Sequence, residues 1–244
     1  MELIKAETMK NLRLTFQKGV IAGIPIAIGY FPIAVTFGLL ARTTGVPDYT
    51  TVLMSFIVFA GASQFIAVNL LGMGASILEI IITTFILNFR HFLMSASFSQ
   101  KIEAGVSKKW LALLSFGITD ETFMVNSLRK ETKLPATFIL GVNLIGFSSW
   151  NLGTWAGVFL GTGLPDSLKA SMGIALYSMF IGLLIPAIKK SHAYGLIAAL
   201  SMVISSAIYY LSPFKISSGW IIVITTIVAS LVGAGVFPKE KEDE

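Results

Sequence analysis

Residues 19–41 read GVIAGIPIAIGYFPIAVTFGLLA, with no Asp, Glu, Lys, Arg or His among them. A helix needs about 20 predominantly apolar residues to cross ~30 Å of hydrocarbon, and this stretch supplies them. The stretches 49–78, 134–165, 170–188, 193–214 and 216–238 are equally free of charge. The chain of 244 residues is 55% hydrophobic and 13% charged, with a mean hydropathy of +0.80. A soluble domain carries roughly 25% charged residues, so this chain lacks the polar side chains needed to coat a water-facing surface. In lipid only helices and closed barrels satisfy every backbone group, and the runs are too long and too unbroken for barrel strands. The expected fold class is all-α: a polytopic helical membrane protein forming one domain over 1–244.

Eight transmembrane segments are expected, some of them broken, at about 19–41, 51–72, 75–98, 110–128, 134–160, 168–188, 192–212 and 218–237. Residues 1–18 read as a retained cytoplasmic arm lying on the membrane through Leu12 and Phe16, and 238–244 as a solvated tail. Lysine and arginine concentrate in cytoplasmic loops. With the N-terminus inside, eight alternating spans place eleven of these residues inside and six outside. If the second segment dips in and returns, seven spans remain and the split falls to nine against eight. Eight spans in the inner membrane with both termini cytoplasmic is therefore the expected topology. Thr44-Gly45-Val46-Pro47-Asp48 recurs as Thr162-Gly163-Leu164-Pro165-Asp166, near half the chain length later. The pair points to an internal duplication, or to a shared turn sequence, since Gly, Pro and Asp all favour turns.

The motifs exclude several functions. There is no cysteine, which removes disulfides, thiolate metal sites and Cys nucleophiles. Only His91 and His192 are present, and no GxxxxGK[ST], HExxH or GxSxG pattern occurs. No cofactor or metal is expected, and uphill work has to come from a gradient. The net charge of +5 lies mostly between the apolar segments, which suits anionic lipid rather than nucleic acid.

Charged residues inside the bilayer cost about 2.5–3.5 kcal/mol each on insertion scales, so those present carry information. Asn88-Phe89-Arg90-His91 lies in the third segment and Thr119-Asp120-Glu121 in the fourth. At 1.5 Å per residue, Arg90 and Asp120 fall at similar depths, roughly 12 and 15 Å below the outer ends of their helices. An Arg90–carboxylate pair is then available, while adjacent helical positions diverge by about 100°, so only one of Asp120 and Glu121 can face Arg90. Ser63 and Gln64, Pro32, and Trp150 with Asn151 reach comparable depths at roughly 14–20 Å. Pro25 and Pro32 are expected to interrupt the first helix and free carbonyls, and the small residues around Gly61 allow a second break. Broken helices near the midplane are how transporters present backbone groups to substrates.

Plainer readings accompany these residues. Arg90 and Asp120 could be a structural ion pair. His91, with an ordinary pKa near ~6.5, is either a proton relay or a satisfied interior histidine. Gly153, Gly157 and Gly161 make a helix-packing stripe, Asn126 and Asn143 bond neighbouring helices, and Glu79 is expected to be interfacial and solvated.

At these motifs the chain resembles the AzlC family, the large subunit of AzlC–AzlD-type branched-chain amino acid exporters. The resemblance rests on Phe37-Gly38-Leu39-Leu40-Ala41, Phe59-Ala60-Gly61-Ala62-Ser63-Gln64-Phe65, Asn88-Phe89-Arg90-His91, Thr119-Asp120-Glu121 and the run Asn143…Trp150-Asn151…Gly157, covering about 15–235. It implies export of leucine, isoleucine, valine and methionine across the cytoplasmic membrane, together with a small AzlD-like membrane subunit. The candidate substrate-binding residues are Arg90, Asp120, Glu121, Ser63, Gln64, Asn88, Trp150 and Asn151; His91, Asp120 and Glu121 are the candidates for proton coupling. Arg90 or the N–H groups of Gly61–Ser63 suit a substrate carboxylate, Asp120 or Glu121 its ammonium, and Phe37, Phe65, Phe147 and Trp150 its aliphatic side chain. Two rival readings remain: a passive channel for a small polar solute, and a non-transporting membrane scaffold.

Overall fold

The computed structural model describes residues 15–160, 163, 165, 167, 175–213 and 216–237. Most of the expected N-terminal arm, the tail 238–244 and most of the second Thr-Gly-Leu-Pro-Asp copy lie outside the described residues. Helix α1, Phe16–Thr43, takes in the last three residues assigned to the arm and starts from Thr15, whose side chain accepts from the Lys18 N–H. It runs unbroken through Pro25 and Pro32, contrary to the expected interruption. The reason is its partner, α7 (Ala136–Leu160). The two helices approach backbone to backbone along their whole length: a Cβ on Gly19 would sit 2.1 Å from the Phe138 carbonyl oxygen, one on Gly38 2.4 Å from that of Thr154, and one on Gly157 2.2 Å from that of Val35. Small residues at a membrane helix interface permit this approach. Contact positions rise together in both helices, so α1 and α7 are parallel. The expected packing role of Gly153 and Gly157 holds; Gly161 lies outside the described residues.

The second expected span is not one helix. It is α2 (Asp48–Ile57) and α3 (Gly61–Gly72), separated by Val58-Phe59-Ala60. A Cβ on Gly72 would meet the Thr44 side chain at 2.8 Å, so α3 ends beside the end of α1, where α2 began. The segment enters from one face and returns to it. Helix α4 (Ile77–Ser99) then runs back toward the start of α1. The fourth expected span repeats the device: α5 (Lys108–Phe116) and α6 (Asp120–Ser127). Lys101, just past α4, donates to the carbonyls of Ser127 and Arg129, Ile102 bridges to Leu134, and the Ala136 N–H donates to Glu103 Oε1 at 3.1 Å. The end of α4, the end of α6 and the start of α7 therefore share the face at which α1 begins. This second hairpin also returns to the face it entered.

Helix α8 (Ala175–Lys190) leads into α9 (His192–Leu211), and α10 (Ser218–Val236) follows. Gly233 lies against Ile197, so α9 and α10 are antiparallel. Helix α10 starts beside the start of α4. There the Ser217 hydroxyl donates to Glu79 Oε1 at 2.5 Å and the Gly219 N–H donates to the same oxygen at 3.0 Å. Glu79 is thus buried beneath a helix N-terminus rather than solvated, because the positive end of α10 stabilises its carboxylate there.

The eight alternating spans are corrected by these contacts. Two of the expected spans are re-entrant hairpins of half-helices from opposite faces, and α1, α4, α7, α9 and α10 run between the faces. Among the described residues α1, α4, α9 and α10 are long and apolar enough to cross a membrane by length and composition. The surface is apolar, with Ile21, Ile28, Phe85, Leu93, Met202 and Leu231 exposed, as lipid contact demands. This is a helical membrane protein. The pairs α1 with hairpin α2–α3, and α4 with hairpin α5–α6, run in opposite directions, the arrangement of an inverted-topology repeat.

Candidate functional site

The two hairpin tips meet in the interior. The first tip turns at Phe59, whose φ of 46° is a left-handed conformation costly for a bulky residue. It is held by a buried polar chain. Gln64 Oε1 accepts from the Ala60 N–H at 3.1 Å, Gln64 Nε2 donates to Ser55 Oγ at 3.0 Å, and Ser55 bonds Thr154 of α7 at 2.7 Å. The Ser63 hydroxyl donates to the Ala60 carbonyl at 3.0 Å. Ser63 and Gln64, expected to meet substrate, instead close the break itself, and both are fully buried. Breaking a helix orphans backbone groups that need local partners, and these two side chains supply them.

The second tip is built by Thr119. Its side chain caps the Thr122 N–H while the Thr122 hydroxyl accepts from the Thr119 N–H at 2.8 Å, a reciprocal capping box. Asn143 of α7 donates to the Leu114 carbonyl at 3.0 Å and so satisfies the end of α5; Asn126 bonds within α6, to Thr122. Asp120 and Glu121 therefore stand on the first turn of α6, at the hairpin tip. Glu121 accepts from the hydroxyl of Tyr30, midway along α1, which also bonds the Thr119 hydroxyl at 2.7 Å. Arg90 of α4 pairs with Asp120, Nη1 to Oδ2, at 2.6 Å. The Arg90–Asp120 pairing read from the sequence is present, although the shared depth is measured from the face at which α1 begins and not from the opposite one, and the two carboxylates diverge to separate partners as expected.

Around these groups lies a cavity of about 20 Å³, walled by Tyr30, Phe59 and Trp150, by Ala60, Gly61 and Ala62 at the start of α3, and by Arg90, His91, Thr119, Asp120 and Glu121. The N-termini of α3 and α6 both point to it, and α3 has no side-chain cap. A Cβ on Gly61 would lie 2.7 Å from the Trp150 ring, so only glycine lets that turn rest on the indole. A second cavity of about 210 Å³ shares Phe59, Ala60 and His91 with the first; Asn88, Val58, Ser115, Phe116 and Ile118 complete its wall. A third, of about 430 Å³, lies between α2, α5 and α7 and is lined almost wholly by apolar side chains such as Phe56, Leu113, Leu140 and Phe147. It holds no charged group and no part of this cluster.

Phe37 and Phe65 pack behind Trp150 rather than on the cavity, and Phe147 packs on the far side of Phe59. Asn151 turns to the Phe147 carbonyl of its own helix and is not among the cavity residues. Tyr30, Phe59 and Thr119 were missed by sequence reasoning. Tyr30 was visible as the one titratable side chain within 19–41, Thr119 as a threonine opening Thr-Asp-Glu-Thr, and Phe59 only as the first residue of the Phe-Ala-Gly-Ala-Ser-Gln-Phe motif.

The pattern for the AzlC protein family matches residues 25–164, which take in both hairpins and all of α7. The chain belongs to the AzlC family. Within it, the chain is 30% identical over 211 residues to the inner membrane protein YgaZ of Escherichia coli K12, covering 84% of this chain and 86% of that one. It is 35% identical over 179 residues to a membrane protein of Archaeoglobus fulgidus, covering 72% and 78%. It is 26% identical over 193 residues to the branched-chain amino acid transport protein AzlC of Bacillus subtilis, covering 77% and 74%. No solved structure matches the chain. The matched AzlC region ends just after α7, so the whole candidate site falls inside it and α8 to α10 fall outside.

Proposed function

We propose that this protein exports branched-chain and other neutral aliphatic amino acids across the cytoplasmic membrane as a secondary transporter driven by the proton motive force. The observation that carries the reading is the Arg90–Asp120 pair held between the N-termini of two half-helices of opposite entry. A partly buried ion pair resists opening because each charge is left uncompensated. A zwitterion avoids that cost: its carboxylate takes Arg90 and the uncapped first turn of α3, and its ammonium takes Asp120, with Glu121 beside it. Protonation of Asp120, Glu121 or His91 would weaken the ammonium side, which couples release to a proton. Trp150, Tyr30 and Phe59, all buried, form the aromatic wall of the site.

The hairpin topology also supports the orientation. Among the described residues it places Lys18, Lys101, Lys108, Lys109, Arg129, Lys130, Lys133 and Lys189 on the face at which α1 begins. Among the described loop residues only Arg42 lies on the other. By the positive-inside rule the termini are cytoplasmic. The name of the Bacillus subtilis relative supports the substrate class, and a small AzlD-like membrane subunit is the proposed partner.

The test is efflux from a deletion strain fed leucine-containing dipeptides. Cells carrying the gene should keep internal leucine low, and collapse of the proton gradient should abolish that. Asp120→Asn should lose export while remaining in the membrane. Efflux indifferent to the gradient would make the protein a passive channel; wild-type-like export by Asp120→Asn would remove the site.

A further inference from the structure

The 20 Å³ cavity at the charged cluster has room for about one water molecule. Opening the Arg90–Asp120 pair makes space for an α-carboxylate and ammonium, but not for a branched side chain between Tyr30, Phe59 and Trp150. The neighbouring 210 Å³ chamber does have that room: an apolar cavity of about 150 Å³ holds benzene, and a butyl side chain has fewer carbons. The two spaces share Phe59, Ala60 and His91, so a ligand anchored at the charged end can extend past these three residues into the chamber.

We propose that this chamber is the side-chain subsite of the transported amino acid, with Ile118 as its buried floor and Ser115 at its rim. The proposal rests on the amino acid reading above. The two hairpin tips explain how one fold builds both halves: their outgoing helices present N-termini to the charged head, and their incoming ends, Val58 on one side and Ser115, Phe116 and Ile118 on the other, form the wall for the tail. Val58, Phe59, Ala60, Phe116 and Ile118 put hydrocarbon on its wall, beside the polar edges of Asn88, His91 and Ser115. Asn88 Oδ1, buried without a partner, provides a polar edge near the head.

The chain has no cysteine, which makes the test direct. Ile118→Cys and Ser115→Cys are treated with a small hydrophilic thiol reagent in membrane vesicles, with and without leucine. Both thiols should react, and leucine should slow the reaction at least about fivefold, whereas glycine should not. In parallel, Ile118→Phe and Ser115→Phe are fed leucyl-alanine, and the leucine-to-alanine ratio exported is compared with wild type. Loss of space for one or two methylenes should lower it by about 10-fold or more. Thiols that are unreactive or unprotected by leucine, together with an unchanged export ratio in a wild type that exports leucine, overturn the subsite and leave the transport reading intact. A wild type that exports no neutral amino acid overturns both.

Discussion

Single cysteines at Ser76, Ser107 and Lys130 distinguish the hairpin fold from eight alternating spans. Alternation puts 76 and 130 on one face and 107 on the other. The hairpins put 107 and 130 together, with 76 opposite. The lengths explain why the difference is complete rather than graded. Helices α5 and α6 have nine and eight residues, about 14 and 12 Å at 1.5 Å per residue, and α2 and α3, of ten and twelve residues, reach about 15 and 18 Å. Each is near half of the ~30 Å hydrocarbon thickness, enough to bring a tip to the midplane and not enough to cross. An impermeant maleimide applied to intact cells should label Ser76→Cys only. Applied to inverted vesicles it should label Ser107→Cys and Lys130→Cys, all to near completion because each of the three positions is exposed. Labelling of 107 and 130 from opposite faces would refute the re-entrant reading, and with it the meeting of the two tips on which the site depends.

Replacing Arg90 with Ala strands Asp120, whose side chain is 29% exposed; the loss should fall between that of an exposed pair and a sealed one, about 2 kcal/mol, read as a lower unfolding temperature in detergent and partly restored by adding Asp120→Ala. Glu79→Ala removes the acceptor of both Ser217 and the Gly219 N–H and should cost about 2–3 kcal/mol, with the start of α10 becoming accessible to protease. Gly157→Leu forces a side chain onto the Val35 backbone and should destabilise by about 1–3 kcal/mol or more, whereas Gly235→Leu, which meets nothing, should leave the melting temperature unchanged.

The helices and the charged level were legible because both rest on large transfer energies: long uncharged runs have one stable solution in lipid, and Arg90 and Asp120 are too costly there to be unpaired. The roles of Ser63 and Gln64 were not. A side chain that closes a helix break and one that contacts substrate have the same polarity and depth, and only the position of the break separates them. Pro25 and Pro32 drew the break to α1, where close contact with α7 keeps the helix intact, while the real breaks fall at Phe59 and between Gly117 and Thr119, with no proline at either.

Topology was hidden for a different reason. A half-helix hairpin of apolar residues has the length and hydropathy of a span, so composition cannot tell a return from a crossing. Charge can, but only when both returns are taken together. One dip alone reverses the orientation of everything after it, which is why the count worsens to nine against eight. The second dip reverses it again, so that relative to eight spans only Lys101, Lys108 and Lys109 change sides, and all three join the face that already held eleven. The same parity builds the site. A single re-entrant hairpin would bring one half-helix N-terminus to the midplane. Two, entering from opposite faces on oppositely directed helices, bring a pair to one level beside the Arg90–Asp120 ion pair, and it is there that the proposed transport cycle has Arg90 and Asp120 exchange partners with a zwitterion reached in turn from either side.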